Sequence, residues 1–133
     1  MGAPLAKQDD QVIAVDTHIV MVPSAAGPVP TPLPHPFTGK LASALATTVE
    51  VGGKPAATVD SIADNSPAHV ATPPGTSFQS PPADQGTVTV GSGTVMIAGK
   101  AAARAGDTVE TCNDPADAPV GTIVAGGSVL VGG

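Results

Sequence analysis

The chain is 133 residues long, the size of one domain, and carries a formal charge of −6 from few ionised side chains. It has no Trp or Tyr, only Phe37 and Phe78 as aromatics, 16 Gly, 15 Pro and a single cysteine, Cys112. These values exclude the basic footprint of a nucleic-acid binder, a polybasic membrane signal and an internal disulfide. Aromatic side chains each bury about 150–250 Å², so a core without them is thin and built from Val, Ile, Leu and Ala. A core of that kind is usually held by a disulfide, a metal or a partner chain, and the last two remain open.

Residues 1–11 are polar and read as an extended N-terminal arm, without the apolar stretch of a secretory signal peptide. Gln11–Val22 reads as a strand, with Asp16-Thr17-His18 in the middle of an otherwise apolar run. Apolar runs such as Ile19–Val22 are far too short to span a bilayer. We therefore expect a chain made in the cytoplasm that relies on other machinery if it leaves the cell.

Pro23–Pro36 contains six prolines and reads as an extended, polyproline-like segment. It ends in His35-Pro36-Phe37-Thr38-Gly39-Lys40-Leu41, more side-chain-specific than a linker requires. Leu41–Ala46 reads as a short helix or turn, and Thr47–Val51 as a strand. Asp60–Pro82, with His69, Pro73-Pro74-Gly75 and Phe78, reads as an ordered surface loop. Thr108–Pro119, with Cys112-Asn113-Asp114-Pro115, reads as a turn-rich connector.

The best-formed stretch is Gly86–Asp107. Val88 and Val90 alternate with Thr87 and Thr89, Gly91-Ser92-Gly93 interrupts, and Thr94–Ile97 alternates again. Period-2 alternation bounded by glycines predicts a strand pair with a tight turn. The same pattern occurs 46 residues earlier, matching Thr48 to Thr94, Val49 to Val95, Val51 to Ile97, Gly53 to Gly99 and Lys54 to Lys100. A third, shorter copy closes the chain. Three units, Thr47–Val59, Gly86–Ala105 and Gly121–Gly133, predict an all-β body with pseudo-threefold symmetry.

His18, His35, His69 and Cys112 lie between or before these units. Together they form a His₃Cys donor set, of the number and type that zinc takes in a closed structural site. A catalytic zinc keeps a position for water, so four protein ligands point to a structural ion. The remaining Asp residues of the turns read as turn formers, with Arg104 and Lys100 pairing locally with Asp107. Ser92 lies in no nucleophile elbow, and no helix follows Gly91–Gly93 to make a phosphate loop.

In combination these segments resemble the PAAR-repeat family, and more closely its PAAR-like branch, from Val15 to the C-terminus. The Pro-Ala-Ala-Arg signature is divided between Gly53-Lys54-Pro55-Ala56-Ala57, followed by Thr58, and Gly99-Lys100-Ala101-Ala102-Ala103-Arg104, followed by Ala105-Gly106-Asp107. Pro34–Leu41, Pro73–Phe78 and Thr111–Pro115 also match. The resemblance implies a small conical β body of short strands with Pro/Gly-rich loops, a single domain over 12–133 with no C-terminal effector extension. It implies one structural Zn²⁺ near the apex, on His18, His35, His69 and Cys112. It further implies a non-enzymatic tip that caps the trimeric, VgrG-like β-helical spike of a contractile injection system, whether type VI secretion or an extracellular phage-tail-like particle. One tip would sit on each trimer, meeting the target membrane only during piercing and leaving room for separate cargo effectors. A small zinc-dependent hydrolase is the alternative. A carbohydrate-binding module is disfavoured by the lack of Trp and Tyr.

Overall fold

A computed structural model describes residues 2–132. Among them there is no helix; the chain is strands and turns throughout. The strands are β1 (Ala3–Pro4), β2 (Gln11–Val22), β3 (Val29–Ser43), β4 (Ala46–Val51), β5 (Lys54–Ala56), β6 (Ile62–Asn65) and β7 (Ser77–Phe78). They continue as β8 (Gln85–Val88), β9 (Met96–Ile97), β10 (Lys100–Ala101), β11 (Thr108–Thr111), β12 (Ala118–Val124) and β13 (Leu130–Val131).

Six of them close into an antiparallel barrel in the order β12-β11-β8-β6-β3-β2, with β12 pairing back to β2. Closure removes the open edges that would otherwise invite aggregation. The interior holds Val12, Phe37, Leu41, Ala63, Val88, Val109 and Ile123, all at most 1% exposed. Phe37 is the one large ring in this core. Around it two strands, β3 and β8, approach too closely for side chains: a Cβ on Gly39 would lie 2.7 Å from Phe37 Cε1, and one on Gly86 2.9 Å from Val109 Cγ1.

Below the barrel the chain is threefold. Two-stranded sheets β4–β5, β9–β10 and β1–β13 occupy equivalent places. Lys54 faces Val51, Lys100 faces Ile97, and Ala3 faces Val131. Single bridges join neighbouring sectors head to tail: Leu5 to Arg104, Lys7 to Ala56 and Thr58 to Ala102. At the centre a closed ring of backbone hydrogen bonds forms. Ala6 N–H donates to Ala103 O (2.9 Å), Ala103 N–H to Ala57 O (3.0 Å) and Ala57 N–H to Ala6 O (2.9 Å). All three alanines are fully buried.

Each sector then turns upward into the barrel through the same short turn. Asp9, Asp60 and Gly106 take positive φ there. A side chain three residues on accepts a backbone N–H: Lys7 N–H to Asp10, Thr58 N–H to Ser61 and Arg104 N–H to Asp107.

Several expectations change in detail. The polar stretch expected as an arm is the first copy of the unit: Pro4-Leu5-Ala6-Lys7 stands where Pro55-Ala56-Ala57-Thr58 and Ala101-Ala102-Ala103-Arg104 stand. Leu5 and Ala6 are buried because the ring needs a third member. The third base hairpin is closed by β1 and β13 from opposite ends of the chain, not by Gly121–Gly133 alone. Gly91-Ser92-Gly93 is a corner between barrel and base rather than a hairpin turn. There Ser92 Oγ accepts from Thr94 and Val95 N–H and donates to Gly132 O. The tight turn of that unit is Ala98-Gly99, both at positive φ. Lys100 pairs with Asp60 across the sector boundary (3.2 Å), while Arg104 pairs with Asp107 as expected (2.9 Å).

The proline-rich segment is strand β3 rather than a polyproline helix, and it continues through Ser43 where a helix or turn was expected. Pro30, Pro32, Pro34 and Pro36 face Met21, Ile19, Thr17 and Val15 in a strict alternation. Every proline thus falls where no N–H is owed to β2, and the missing donors lie on the outer edge of the strand.

The central ring tolerates no larger side chain. Ala103→Leu should cost about 1–3 kcal/mol by overpacking, read as a lower urea midpoint. The exposed Ala42→Leu should stay within about 0.5 kcal/mol of the parent.

Candidate metal centre

The β2–β3 hairpin runs past the barrel, since all twelve residues of β2 pair with β3 while β12 and β6 cover only their lower ends. Side chains on a strand alternate between faces. On β2 the inward set is Val12, Ala14, Asp16, His18 and Val20; on β3 it includes His35, Phe37 and Leu41. The register sets Asp16 directly opposite His35. The loop after β6 brings His69, whose N–H is held by Asp84 Oδ1 at 2.9 Å. Cys112 follows directly on β11.

All four residues named from the sequence meet here. The ring centroids of His18 and His69 are 4.9 Å apart, His18 and His35 5.4 Å, and His35 and His69 5.7 Å. Cys112 Sγ lies 3.7 Å from His18 Nε2. Phe78 on β7 closes the group with its ring 5.8 Å from His18 and 5.3 Å from His35. The cluster is sealed: His18 and His35 are 1% exposed, and Cys112 3%.

A fifth group sits among them. Asp16 is fully buried, and one donor atom from each of Asp16, His18, His69 and Cys112 lies within 4.8 Å of all the others. Asp16 Oδ2 is 2.8 Å from His69 Nε2 and 3.5 Å from Cys112 Sγ. Its Oδ1 accepts from Thr111 Oγ1 and from Asn113 Nδ2. His35 faces the same cluster, but its Nδ1 is 2.9 Å from Leu33 O and its Nε2 accepts Thr72 N–H at 3.1 Å. Asp16 is absent from the donor set that residue type alone suggests. The signal for it is present all the same: two residues before His18 on a strand, it must share that residue's face.

The donors fit a divalent transition metal. Imidazole, thiolate and carboxylate are all zinc ligands, and a site shut from solvent suits a structural ion rather than a catalytic one. Cys112 and Asp16 would supply anionic charge, and the histidines neutral nitrogens. Without metal the electrostatics run the other way. Burial, and then the nearby Asp16 carboxylate, push the Cys112 thiol up from 9.0 to about 11. Burial lowers His35 below 6.5, against the opposing pull of its bond to Leu33, with His18 and His69 adding to the lowering.

Residues 79–133 match the family model described as PAAR motif. The C-terminal part of the chain thus carries a PAAR motif. The match spans β8 through β13, thus one complete base sector and the C-terminal strand of the sector completed by β1. No curated protein matches the chain significantly. The PAAR motif is that of spike-tip proteins of contractile injection systems, a structural family. No helix of the described residues is long and apolar enough to cross a membrane.

The metal-free protein should therefore lose stability at both pH extremes. His35 favours its neutral form in the fold, so its contribution is complete above about 6.5 and is lost as pH falls below that value. Cys112 favours its thiol, so its contribution is complete below 9.0 and is lost as pH rises toward about 11. Urea midpoints measured against pH in chelator should show both limbs, and Cys112→Ser should remove the alkaline one.

Proposed function

We propose that this PAAR protein caps the trimeric, VgrG-like β-helical spike of a contractile injection system, one tip per trimer, and sharpens it for piercing a target membrane. The observation that carries this reading is the threefold base. A single chain presents three equivalent two-stranded sheets around one ring, and so matches a threefold partner without itself being a trimer. A trimeric β-helix ends in three open strand edges, and strand addition onto such edges supplies main-chain hydrogen bonds. Each base sheet has only two strands among the described residues, which leaves an outer edge for that contact.

The side chains of these sheets support the same reading. Met96 and Leu130 occupy equivalent register positions and are 61% and 59% exposed; the third such position holds Glu50. Large apolar side chains exposed together mark contact surfaces more often than free surface.

At the opposite end, one zinc ion in the histidine–cysteine cluster would pin the β2–β3 hairpin to the His69 loop and to Cys112. The sequence nominates His18, His35, His69 and Cys112 as its ligands. A metal linking distant segments resists local unfolding where little apolar area is buried. Its role in this reading is mechanical, with no reaction catalysed. We infer assembly in the cytoplasm, delivery on the particle tip and, where cargo is carried, attachment of separate effectors.

Co-purification with a candidate spike tests the reading. One tip per spike trimer and about one zinc per chain are expected, as for a single four-ligand site; three tips per trimer would overturn it. Met96→Asp with Leu130→Asp should weaken spike binding at least about tenfold, because a charge would be buried unpaired at the interface. The melting temperature of the free tip should be unchanged, since both side chains are exposed.

A further inference from the structure

Two carboxylates touch the histidines of the cluster without belonging to the ligand set, Asp16 and Asp114. We propose that both are positioning residues of the metal centre. Asp16 holds His69 by Nε2 and Asp114 holds His18 by Nδ1, so that His69 presents Nδ1 to the ion and His18 presents Nε2. This rests on the metal-binding part of the function proposed above, with His18, His35, His69 and Cys112 as ligands, and not on the identity of the spike.

The contacts of the rings are the first ground. A metal-bound histidine donates its other ring N–H to a carboxylate, a backbone carbonyl or water, which fixes both the tautomer and the plane of the ring. Each of the three histidines has one nitrogen on such an oxygen. His69 Nε2 lies 2.8 Å from Asp16 Oδ2, His18 Nδ1 3.3 Å from Asp114 Oδ2 and His35 Nδ1 2.9 Å from Leu33 O. An ionised carboxylate only accepts, so the proton sits on the ring nitrogen beside it and the lone pair on the other. In His18 that other nitrogen, Nε2, faces Cys112 Sγ at 3.7 Å.

The anchoring of the carboxylates is the second ground, since a side chain orients a ring only if it is itself held. Asp16 Oδ1 accepts from Thr111 Oγ1 and Asn113 Nδ2, which leaves Oδ2 for His69 and, without metal, for the Cys112 thiol at 3.5 Å. Asp114 Oδ2 also accepts Ile19 N–H at 2.9 Å, and Asp114 N–H donates to Thr17 O at 2.8 Å. The two carboxylates cross between segments. Asp16, on β2, holds a ring from the loop after β6. Asp114, two residues beyond Cys112, holds a ring from β2. Segments that carry one ligand thus orient a ligand carried by another.

Charge is the third ground. A divalent ion with one thiolate and neutral imidazoles leaves one positive charge in a sealed site. A fully buried carboxylate is costly unless a cation offsets it. The lysine and arginine ion pairs of the described residues lie on the base segments: Lys7 with Asp10, Lys54 with Asp9, Lys100 with Asp60 and Arg104 with Asp107. Asp16 is fully buried, one imidazole away from the ion, and brings the cluster to neutrality.

NMR of the full chain, labelled with ¹⁵N-histidine and loaded with Zn²⁺, reads the bound nitrogen of each ring. His69 should bind through Nδ1 and keep its proton on Nε2; His18 should bind through Nε2 and keep its proton on Nδ1. Either ring bound through the opposite nitrogen overturns the proposal, and a merely structural aspartate would not dictate this pattern. In chelator competition, Asp16→Asn and Asp114→Ala should each lose about 10–100-fold in zinc affinity, the cost of an outer partner of a ligand. Both should keep about one zinc per chain, as the four ligands are intact, and the parental thiolate band of the Co²⁺ form. Asp114→Asn, which retains an acceptor oxygen for His18, should recover part of the loss. A loss below about tenfold in either of the first two variants overturns the proposal, and so does an Asp16→Asn protein whose Co²⁺ spectrum shows a changed donor set. Should a variant fail to fold, the ring nitrogens of the wild-type chain decide the matter. A wild-type chain that takes up no zinc overturns the metal reading along with this assignment; one that binds zinc through the opposite ring nitrogens overturns this assignment alone. The spike stoichiometry is judged by co-purification.

Discussion

The ring of backbone hydrogen bonds among Ala6, Ala57 and Ala103 is the constraint on which the rest of this protein depends. Three N–H groups each donate to the neighbouring copy, so the ring closes only when three copies are present at one level. It demands small side chains, because the three backbones meet at an axis. It also demands a turn immediately above, which the positive-φ residues Asp9, Asp60 and Gly106 provide. From that level three strand pairs rise into a barrel and three hairpins spread below. A chain with almost no aromatic surface thus obtains a defined centre from hydrogen-bond geometry as much as from apolar burial.

The two ends of the molecule solve different problems. At the base, symmetry dominates and charged groups sit at the surface, where ion pairs such as Lys54–Asp9 and Lys100–Asp60 contribute little. At the far end symmetry is abandoned. The β2–β3 hairpin extends alone, and its inner face carries polar donors where a barrel would carry Val or Ile. Phe78 and the His69 loop seal these donors from water. Burying carboxylate, thiol and imidazoles together is unfavourable without a cation, and that local cost is the physical sign of a site.

Much of the fold was legible. Alternation in Gly86–Ile97 and its echo 46 residues earlier located two base sectors correctly, but the tight turn of the second lies at Ala98-Gly99 and not at Gly91-Ser92-Gly93. The first sector escapes notice because Lys7-Gln8-Asp9-Asp10 is polar. Its burial pattern depends only on Leu5 and Ala6, too short a signal to separate from an arm. The prolines of β3 argue against a strand by composition. They are tolerated because they fall at every second position, so the lost donors all face the same open edge.

Residue type in the sequence determined the donor chemistry: the three histidines and the one cysteine of the chain all meet in the cluster. Residue order also determined the threefold repeat, because a fixed offset in small residues and glycines leaves few other folds. Only the tertiary structure decided how the circle closes, with β1 and β13 meeting from opposite ends of the chain, since strand pairing at such separation leaves no local trace. Only it brought Asp16 into the cluster and turned the lone pair of His35 toward Thr72. Which face a side chain shares follows from strand period, but which atom points at which neighbour follows from register and from the loops packed against it.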